Sequence, residues 1–512
     1  MSTEHATAAA PGIMLRDAGP ADEAVLLEWA NDPAVRRSSF SGDPIDAETH
    51  ARWYEAKLAS ADTAFFIAER DGRAVGYARI DRWSPDVGEI AASIDAGRRG
   101  QGLGTSLIAL AARRGADRLG VRRIVARVKG DNAASLRAFE SAGFNRLGQP
   151  GDHVTLAWPD RVLVPHSRPF VGEEEAAAAS AVVRSRALAG GPIAGEVEAD
   201  WCERTGVTAA ACVASGVGAL RLGLWSLGIG PGDEVIMPAY SCVALLNAAL
   251  VLGATPVLAD VLADEWVLDP ADAAARVTDR TRGIIAVNLF GMPARVAELR
   301  ELGLPVVEDC AHGIGGETDA GRFGAGGDIS IASFYATKMI AGGEGGIIAA
   351  RDAALVERVR SARDYGDQLP GAQNLNDKMT DVEAAIVREQ LRRLPEMLSL
   401  RAHCAARYAE LLSPLVEAEL VELPADVPGR IWYRYAARLV AASSSEVSDE
   451  MAARGVRAEQ PVWDLRAADQ WSEGLEDAAA AFERVLSLPL YPDLSEREQE
   501  YVASNLREVL GA

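Results

Sequence analysis

The sequence predicts an α/β protein in two parts: a mixed sheet, followed by a larger, mostly parallel sheet with helices on both faces. Three observations lead there. Ala64–Glu69, Ala74–Arg82 and Gly88–Ile94 alternate apolar and polar residues and read as a meander of strands. From 209 to 350, strand-like runs alternate with helical periods, the pattern of helices that cross over a parallel sheet. Between these regions, PDRVLVPHSRPF carries prolines and charges and no helical period, so it reads as a short ordered linker. The expected boundaries are a disordered tail at 1–12, a first domain at 13–160, a linker at 161–167 and a second domain at 168–512.

Composition narrows the class. A chain of 512 residues expects two to four domains, or one large and one small. No apolar run is as long as a membrane span, so no membrane partner is expected. The net charge of −22 disfavours nucleic acid. The five cysteines (Cys202, Cys212, Cys242, Cys310, Cys404) are scattered, with no CxxC pair. No metal site is expected, and a reduced, cytoplasmic setting is.

In the first domain Ile13–Arg16 opens as a strand. Asp22–Asn31 places Ala24, Leu27 and Ala30 at helical spacing, and Glu48–Ala59 is a second helix. Turns at Asp71-Gly72 and Ser84-Pro85 join the meander. After Ile94, DAGRRGQGLGTSLIALAARRGADRLG passes through a Gly-rich turn into a long amphipathic helix. Backbone N–H groups in such a turn converge on an anion, and the helix N-terminus adds to the field. A strand at Ile124–Val128 leads to Asn132-x-x-Ser135-x-x-x-Phe139-x-x-x-Gly143-Phe144. Nine basic residues and one acid, Asp117, lie between Gly97 and Lys129. They read either as a solvated helix face or as a positive field for phosphates.

Arg99-x-x-Gly102-x-Gly104, with the Asn132–Phe144 block about thirty residues on, resembles the acetyl-CoA site of the GNAT N-acetyltransferases. The resemblance implies a GNAT mixed-sheet fold, acetyl-CoA as co-substrate, and contacts to it from Ile94, Arg99, Gly100, Gly102, Gly104, Thr105 and Asn132. Many members carry a tyrosine that protonates the leaving thiolate where Phe139 stands here. Another group, solvent, or positioning alone must then serve. Glu89, on the preceding strand, is the candidate general base, directly or through water, or else a surface strand carboxylate. EWANDPAVRRSSFSGDPID is similar to a GNAT subset that acetylates nucleotide-linked amino sugars.

In the second domain Glu173–Ala187 is a helix, Ala189–Pro192 a break and Glu196–Thr205 another helix. The strand Ala209–Ala214 runs into Ser215-Gly216-Val217-Gly218, which opens a helix suited to phosphate. Further strands are expected at Glu234–Met237, Ile284–Leu289, Val306–Asp309, Ile329–Phe334 and Ile431–Val440, and an amphipathic helix at Asp381–Leu394.

Two of these strands end in residues suited to chemistry: Asp309 closes one, and Lys338 follows the other in an apolar, Gly-rich segment. A buried ammonium is costly, so a lysine there needs a reason. A pyridoxal phosphate site supplies one. The lysine holds the aldehyde covalently, and the carboxylate keeps the pyridine nitrogen protonated so that the ring acts as an electron sink.

VEDCAH, SFYATK and GEGG resemble the cofactor segment of the DegT/DnrJ/EryC1/StrS sugar aminotransferases, and the likeness extends from near Arg168 to the C-terminus. It implies fold type I with a small C-terminal subdomain and pyridoxal 5′-phosphate as cofactor. It makes Lys338, Asp309 and His312 catalytic. It places Ser215, Gly216, Val217, Tyr240, Cys242, Asn288, Ser333 and Asn376 at the cofactor. Val217 replaces the usual threonine, and Cys242 stands where an aromatic commonly stacks on the ring. Asn376 implies a homodimer, because its counterpart reaches the neighbouring subunit's cofactor phosphate. The expected partners are a nucleotide-linked keto-deoxy sugar, L-glutamate and acetyl-CoA, with the new amine then acetylated. Alternatives are a first domain that binds acetyl-CoA without catalysis or acetylates an unrelated amine. A transcription regulator of this fold would carry a basic DNA-binding module, and nothing here resembles one.

Overall fold

The computed structural model describes residues 12–39, 41, 43–147, 153–159, 162–189, 191–319, 321–364, 375–467 and 473–512. Nearly all of the expected tail at 1–12, and the start of the expected linker, lie outside the described residues. The chain divides into two compact units. Among the described residues no helix is long and apolar enough to cross a membrane.

The first unit takes in residues 1–165 together with Asp449–Arg457 and Ser495–Gly511. Its strands are β1 (Met14–Asp17), β2 (Thr63–Arg70), β3 (Arg73–Ser84), β4 (Val87–Ile94), β5 (Arg123–Lys129), β6 (Asn145–Arg146) and β7 (His153–Trp158). They form one sheet in the order β1-β2-β3-β4-β5-β7-β6. Asp71 and Gly72 both take positive φ, which closes the β2–β3 hairpin. β4 and β5 are parallel, and they pair only from Val87–Arg123 to Glu89–Val125. Beyond Glu89 the two strands part, leaving a gap in the sheet beside the Gly-rich turn.

The pleat divides the aromatic residues of β2 between the two faces. Phe66 joins a core with α4 (Leu103–Leu119) and α5 (Ala133–Ser141), through Leu103, Leu107, Ala111 and Phe139. Phe65 and Ile67 face α1 (Glu23–Ala30) and α3 (Ala47–Ala59), through Leu26, Trp29 and Tyr54. Between these helices lies α2 (Pro33–Ser38), absent from the expectation because six residues show no apolar period. Its signal is its start: the Asp32 side chain accepts from the Ala34 and Val35 N–H groups, and Pro33 takes the first helical position.

Asp449–Arg457 and Ser495–Gly511, which the expected boundaries place in the second domain, group by their contacts with the first unit. In the C-terminal helix (Glu496–Leu510), Glu498 is fully buried and accepts from Ser84 Oγ at 3.1 Å. The Tyr501 ring meets Trp83 edge-on at 5.8 Å, and Arg497 lies over the Trp83 ring at 5.3 Å.

The second unit comprises His166–Ser448 and Ala458–Leu494, plus Ala512, and its first helix is α6 (Glu173–Ser185). Its main strands are β8 (Ala209–Val213), β9 (Glu234–Pro238), β10 (Thr255–Ala259), β11 (Thr281–Val287), β12 (Val306–Asp309), β13 (Ile329–Ser333) and β14 (Gly346–Ala350). The order is β10-β9-β11-β12-β13-β14-β8, and β14 alone runs against the others. These strands alternate faces. Ala211, Val213, Ile331 and Ile348 pack with α8 (Gly216–Ser226). Ala210, Cys212, Ile347 and Ala349 pack with α7 (Pro192–Thr205) and the 37-residue helix Asp381–Glu417.

Two helix boundaries differ from expectation. α7 starts at Pro192 rather than 196, because a proline costs nothing at the first helical position. The Asp381 helix runs on through Pro395, which is exposed, while Leu391, Leu394 and Met397 keep the buried stripe continuous. The strand expected from Ile431 begins at Tyr435.

Candidate active site

In the large sheet β8, β12 and β13 point the same way, so their carboxyl ends share one edge, where open α/β sheets place their ligands. β8 delivers Ser215, the N-cap of α8, whose Oγ accepts from the Gly218 N–H at 3.1 Å. β13 delivers Ser333 beside it. A Cβ on Gly216 would lie 2.6 Å from Ser333 Cβ, so this approach requires glycine. Val217 is exposed at the same helix start. Asp377 lies against it too: its carbonyl accepts from the Ala214 N–H, and its carboxylate binds Arg221. Neighbouring Asn376 is exposed.

Asp309, at the end of β12, is 4% exposed and accepts from the Ala311 N–H at 2.8 Å. Burial raises its pKa to about 6, opposed by that hydrogen bond and by the charge of Lys338. Lys338 sits in a tight turn after β13, with its Nζ 5.4 Å from the Tyr433 ring centre. His312 is stacked between Tyr433 (4.3 Å) and Phe290 (6.0 Å), and the Phe290 N–H points at its Nδ1. Burial, with the charges of Lys338 and Arg434, pushes its pKa well below the ordinary value and keeps it neutral. Burial alone would raise the Tyr433 hydroxyl, but Arg434, Lys338 and Arg401 pull it below its ordinary value.

These residues fit pyridoxal phosphate. A buried carboxylate whose charge is penalised calls for a cation, which a protonated pyridine nitrogen supplies. An amine lies within its field, and an N-terminus of an eleven-residue helix packed on Ser333 suits a phosphate.

Three other expected contacts have surroundings of their own. Asn288 is buried and engaged elsewhere: it donates to Glu308 and Cys310 and accepts from the Ala294 N–H. Cys242 is half-buried and free. Tyr240 is buried edge-on to Phe290, with its hydroxyl unpartnered. Sequence reasoning missed Tyr433, Arg434 and Glu308. Tyr433 read only as part of a strand. Glu308, inside VEDCAH, gathers the N–H groups of Gly324, Gly326 and Gly327 and so anchors the Gly-rich connection.

In the first unit Gly100 and Gly102 take positive φ, and Gly102 caps α4. Arg99 donates to the Ile94 carbonyl at 3.2 Å and pairs with Asp32 at 3.0 Å. Gly104 faces Ile94 across α4's first turn, and Thr105 follows it on the helix. The Asn132 side chain caps α5 through Ser135. Phe139 is core, edge-on to Phe144 at 5.1 Å. Glu89 is held by two arginines, Arg127 at 2.6 Å and Arg497. The basic run is largely neutralised: Arg114 and Arg118 pair with Asp17, Arg122 and Arg123 with Asp86.

Comparison with known proteins finds two families along the chain. Residues 169–507 match the model of the DegT/DnrJ/EryC1/StrS aminotransferase family, and residues 13–145 that of an acetyltransferase (GNAT) domain. Among solved structures, the aminotransferase TlmJ from Streptoalloteichus hindustanus is 30% identical, with a TM-score of 0.64, covering 68% of this chain and 99% of that one. DesV from S. venezuelae is 33% identical, with a TM-score of 0.61, covering 66% and 95%. NtdA from Bacillus subtilis, solved with bound PMP, is 25% identical, with a TM-score of 0.61, covering 68% and 86%.

Proposed function

The chain belongs to the DegT/DnrJ/EryC1/StrS aminotransferase family, and we propose that it aminates a nucleotide-linked keto-deoxy sugar and then acetylates the new amine. It is a pyridoxal-phosphate-dependent sugar aminotransferase fused to a GNAT acetyltransferase domain that uses acetyl-CoA. The observation that carries the amination reading is buried Asp309 within the field of Lys338, at the edge where α8 begins.

Bound pyridoxal phosphate supplies an electron sink that stabilises negative charge at the donor's α-carbon. In this reading Lys338 would hold the cofactor and, as a free amine, would move the proton from that carbon to the cofactor. Asp309 keeps the ring nitrogen's proton in place. Ser215, Gly216 and Ser333 hold the phosphate. Neutral His312, stacked on Tyr433, offers a hydrogen bond at the ring edge without adding charge. Asn376, exposed beside α8, would reach a second copy's site in a homodimer. The setting is cytoplasmic, where both co-substrates are supplied.

The test is mass spectrometry on a panel of nucleotide-linked 4-keto-6-deoxy sugars incubated with the protein, L-glutamate and acetyl-CoA. A product carrying both amine and acetyl group, lost in Lys338→Ala, is expected. No aminated product from any panel member rejects the reading. One observation favours a second reading of the first unit, acetyl-CoA binding without turnover: both Glu89 oxygens are paired, and Phe139 has no proton to give. An aminated product that is never acetylated would support it.

A further inference from the structure

The sheet face of the first unit that carries α1, α2 and α3 holds a cavity of about 310 Å³, near the lower end of ligand pockets at roughly 300 Å³. Its walls combine rings and cations, Trp53, Phe65 and Tyr77 with Arg36 and Arg79, beside His50, whose burial lowers its pKa. None of its lining residues is acidic. A cationic acceptor such as a polyamine would meet like charges there.

Two buried side-chain nitrogens have no hydrogen-bond partner. His50 is 2% exposed, and its Nδ1 is unbonded, with Glu23 as distant as 4.0 Å. Arg36 Nε is equally unpartnered. The rest of the Arg36 guanidinium reaches only the Asp43 carbonyl and Ser39 Oγ, and among the described residues no carboxylate pairs with it. This guanidinium is half-buried and lines the cavity, so it presents a fork that an entering anion can engage. Arg79 is held at Asp81 and lies over the Trp53 ring at 4.9 Å.

The cavity also adjoins the acetyl-CoA loop. Tyr77 and Arg79 on β3 lie opposite Ser93 and Ala91 of β4, in the stretch where β4 has parted from β5. Asp32, which caps α2, bonds Arg99 of the Gly-rich turn, and Arg36 is one turn further along the same helix. One short helix therefore borders both places.

We propose that this cavity binds the acetyl acceptor by a nucleoside diphosphate, with the diphosphate on Arg36 and Arg79 and the base among Trp53, Phe65 and Tyr77. This rests on the acetylation reading above. Rings take a base by stacking, and a guanidinium fork takes phosphate oxygens two at a time.

The experiment is hydrogen-exchange mass spectrometry of the full chain titrated with uridine or thymidine diphosphate. Protection of residues 33–57 is expected in the wild type, with about tenfold more nucleotide needed in Arg36→Gln. Protection of residues 99–105 by acetyl-CoA, unchanged in that variant, shows that the unit is folded. No protection of 33–57 by either nucleotide overturns the inference, as does a variant that matches the wild type. Equal protection by inorganic pyrophosphate also overturns it, since the rings would then contribute nothing. The functional reading fails separately: nucleotide protection at 33–57 with no acetylated sugar in the mass assay leaves the cavity's ligand standing and removes the acetylation.

Discussion

Asp309→Asn should stabilise the cofactor-free protein above pH 6 while abolishing amination. In the fold this carboxyl titrates near pH 6, against 3.8 ordinarily, chiefly because it is buried. Its folded pKa is raised, so its contribution is fully present below pH 3.8 and is lost as pH rises through 6. The loss amounts to about 3 kcal/mol, an upper bound because the site relaxes and admits water. Asparagine keeps the shape, can still accept the Ala311 N–H bond, and carries no charge to desolvate. The assay is thermal unfolding of cofactor-free wild type and variant at pH 4, 5, 6, 7 and 8. The wild type should lose stability relative to the variant between pH 4 and 6, and the gap should then stay constant. Loading pyridoxal phosphate should remove the wild type's deficit, because a protonated ring nitrogen becomes the missing cation. A variant less stable than the wild type at pH 8, or a gap that does not vary with pH, would refute the reasoning.

Gly216→Ala places a methyl 2.6 Å from Ser333 Cβ. It should cost about 1–3 kcal/mol of stability and weaken pyridoxal phosphate affinity, read by cofactor titration in absorbance. Glu498→Ala removes a fully buried capping-box carboxylate and the partner of Ser84; differential scanning calorimetry should show the first unit losing about 1–3 kcal/mol, although residue 498 is far from its sequence. Glu89→Gln should lower acetyl-transfer kcat less than tenfold, since a carboxylate held by Arg127 and Arg497 is poorly placed to take a proton. A loss in the general-base range of about 10²–10⁴-fold would show instead that these pairs open during turnover.

Much of this protein was legible because the signals are local. The ends of β12 and β13, the Ser215 cap and the positive-φ glycines of the acetyl-CoA turn each follow from a few neighbouring residues. Backbone conformation and capping are decided over such distances. Side chains that point across the fold were not legible. Asn288 could be placed at a strand end, but whether it faced cofactor or Glu308 depended on the loop folded beneath it. Tyr433 lies 95 residues from Lys338 in sequence and under it in space.

By itself the sequence determined the two α/β units, their families, and the lysine, carboxylate and glycine positions on which the chemistry rests. Periodicity and spacing encode these directly. Only the tertiary structure decided that His312 is neutral between two aromatic rings, that Glu89 is locked by arginines, and that the last helix completes the first unit. Burial and partner choice set those outcomes, and both depend on which distant residues packing brings together.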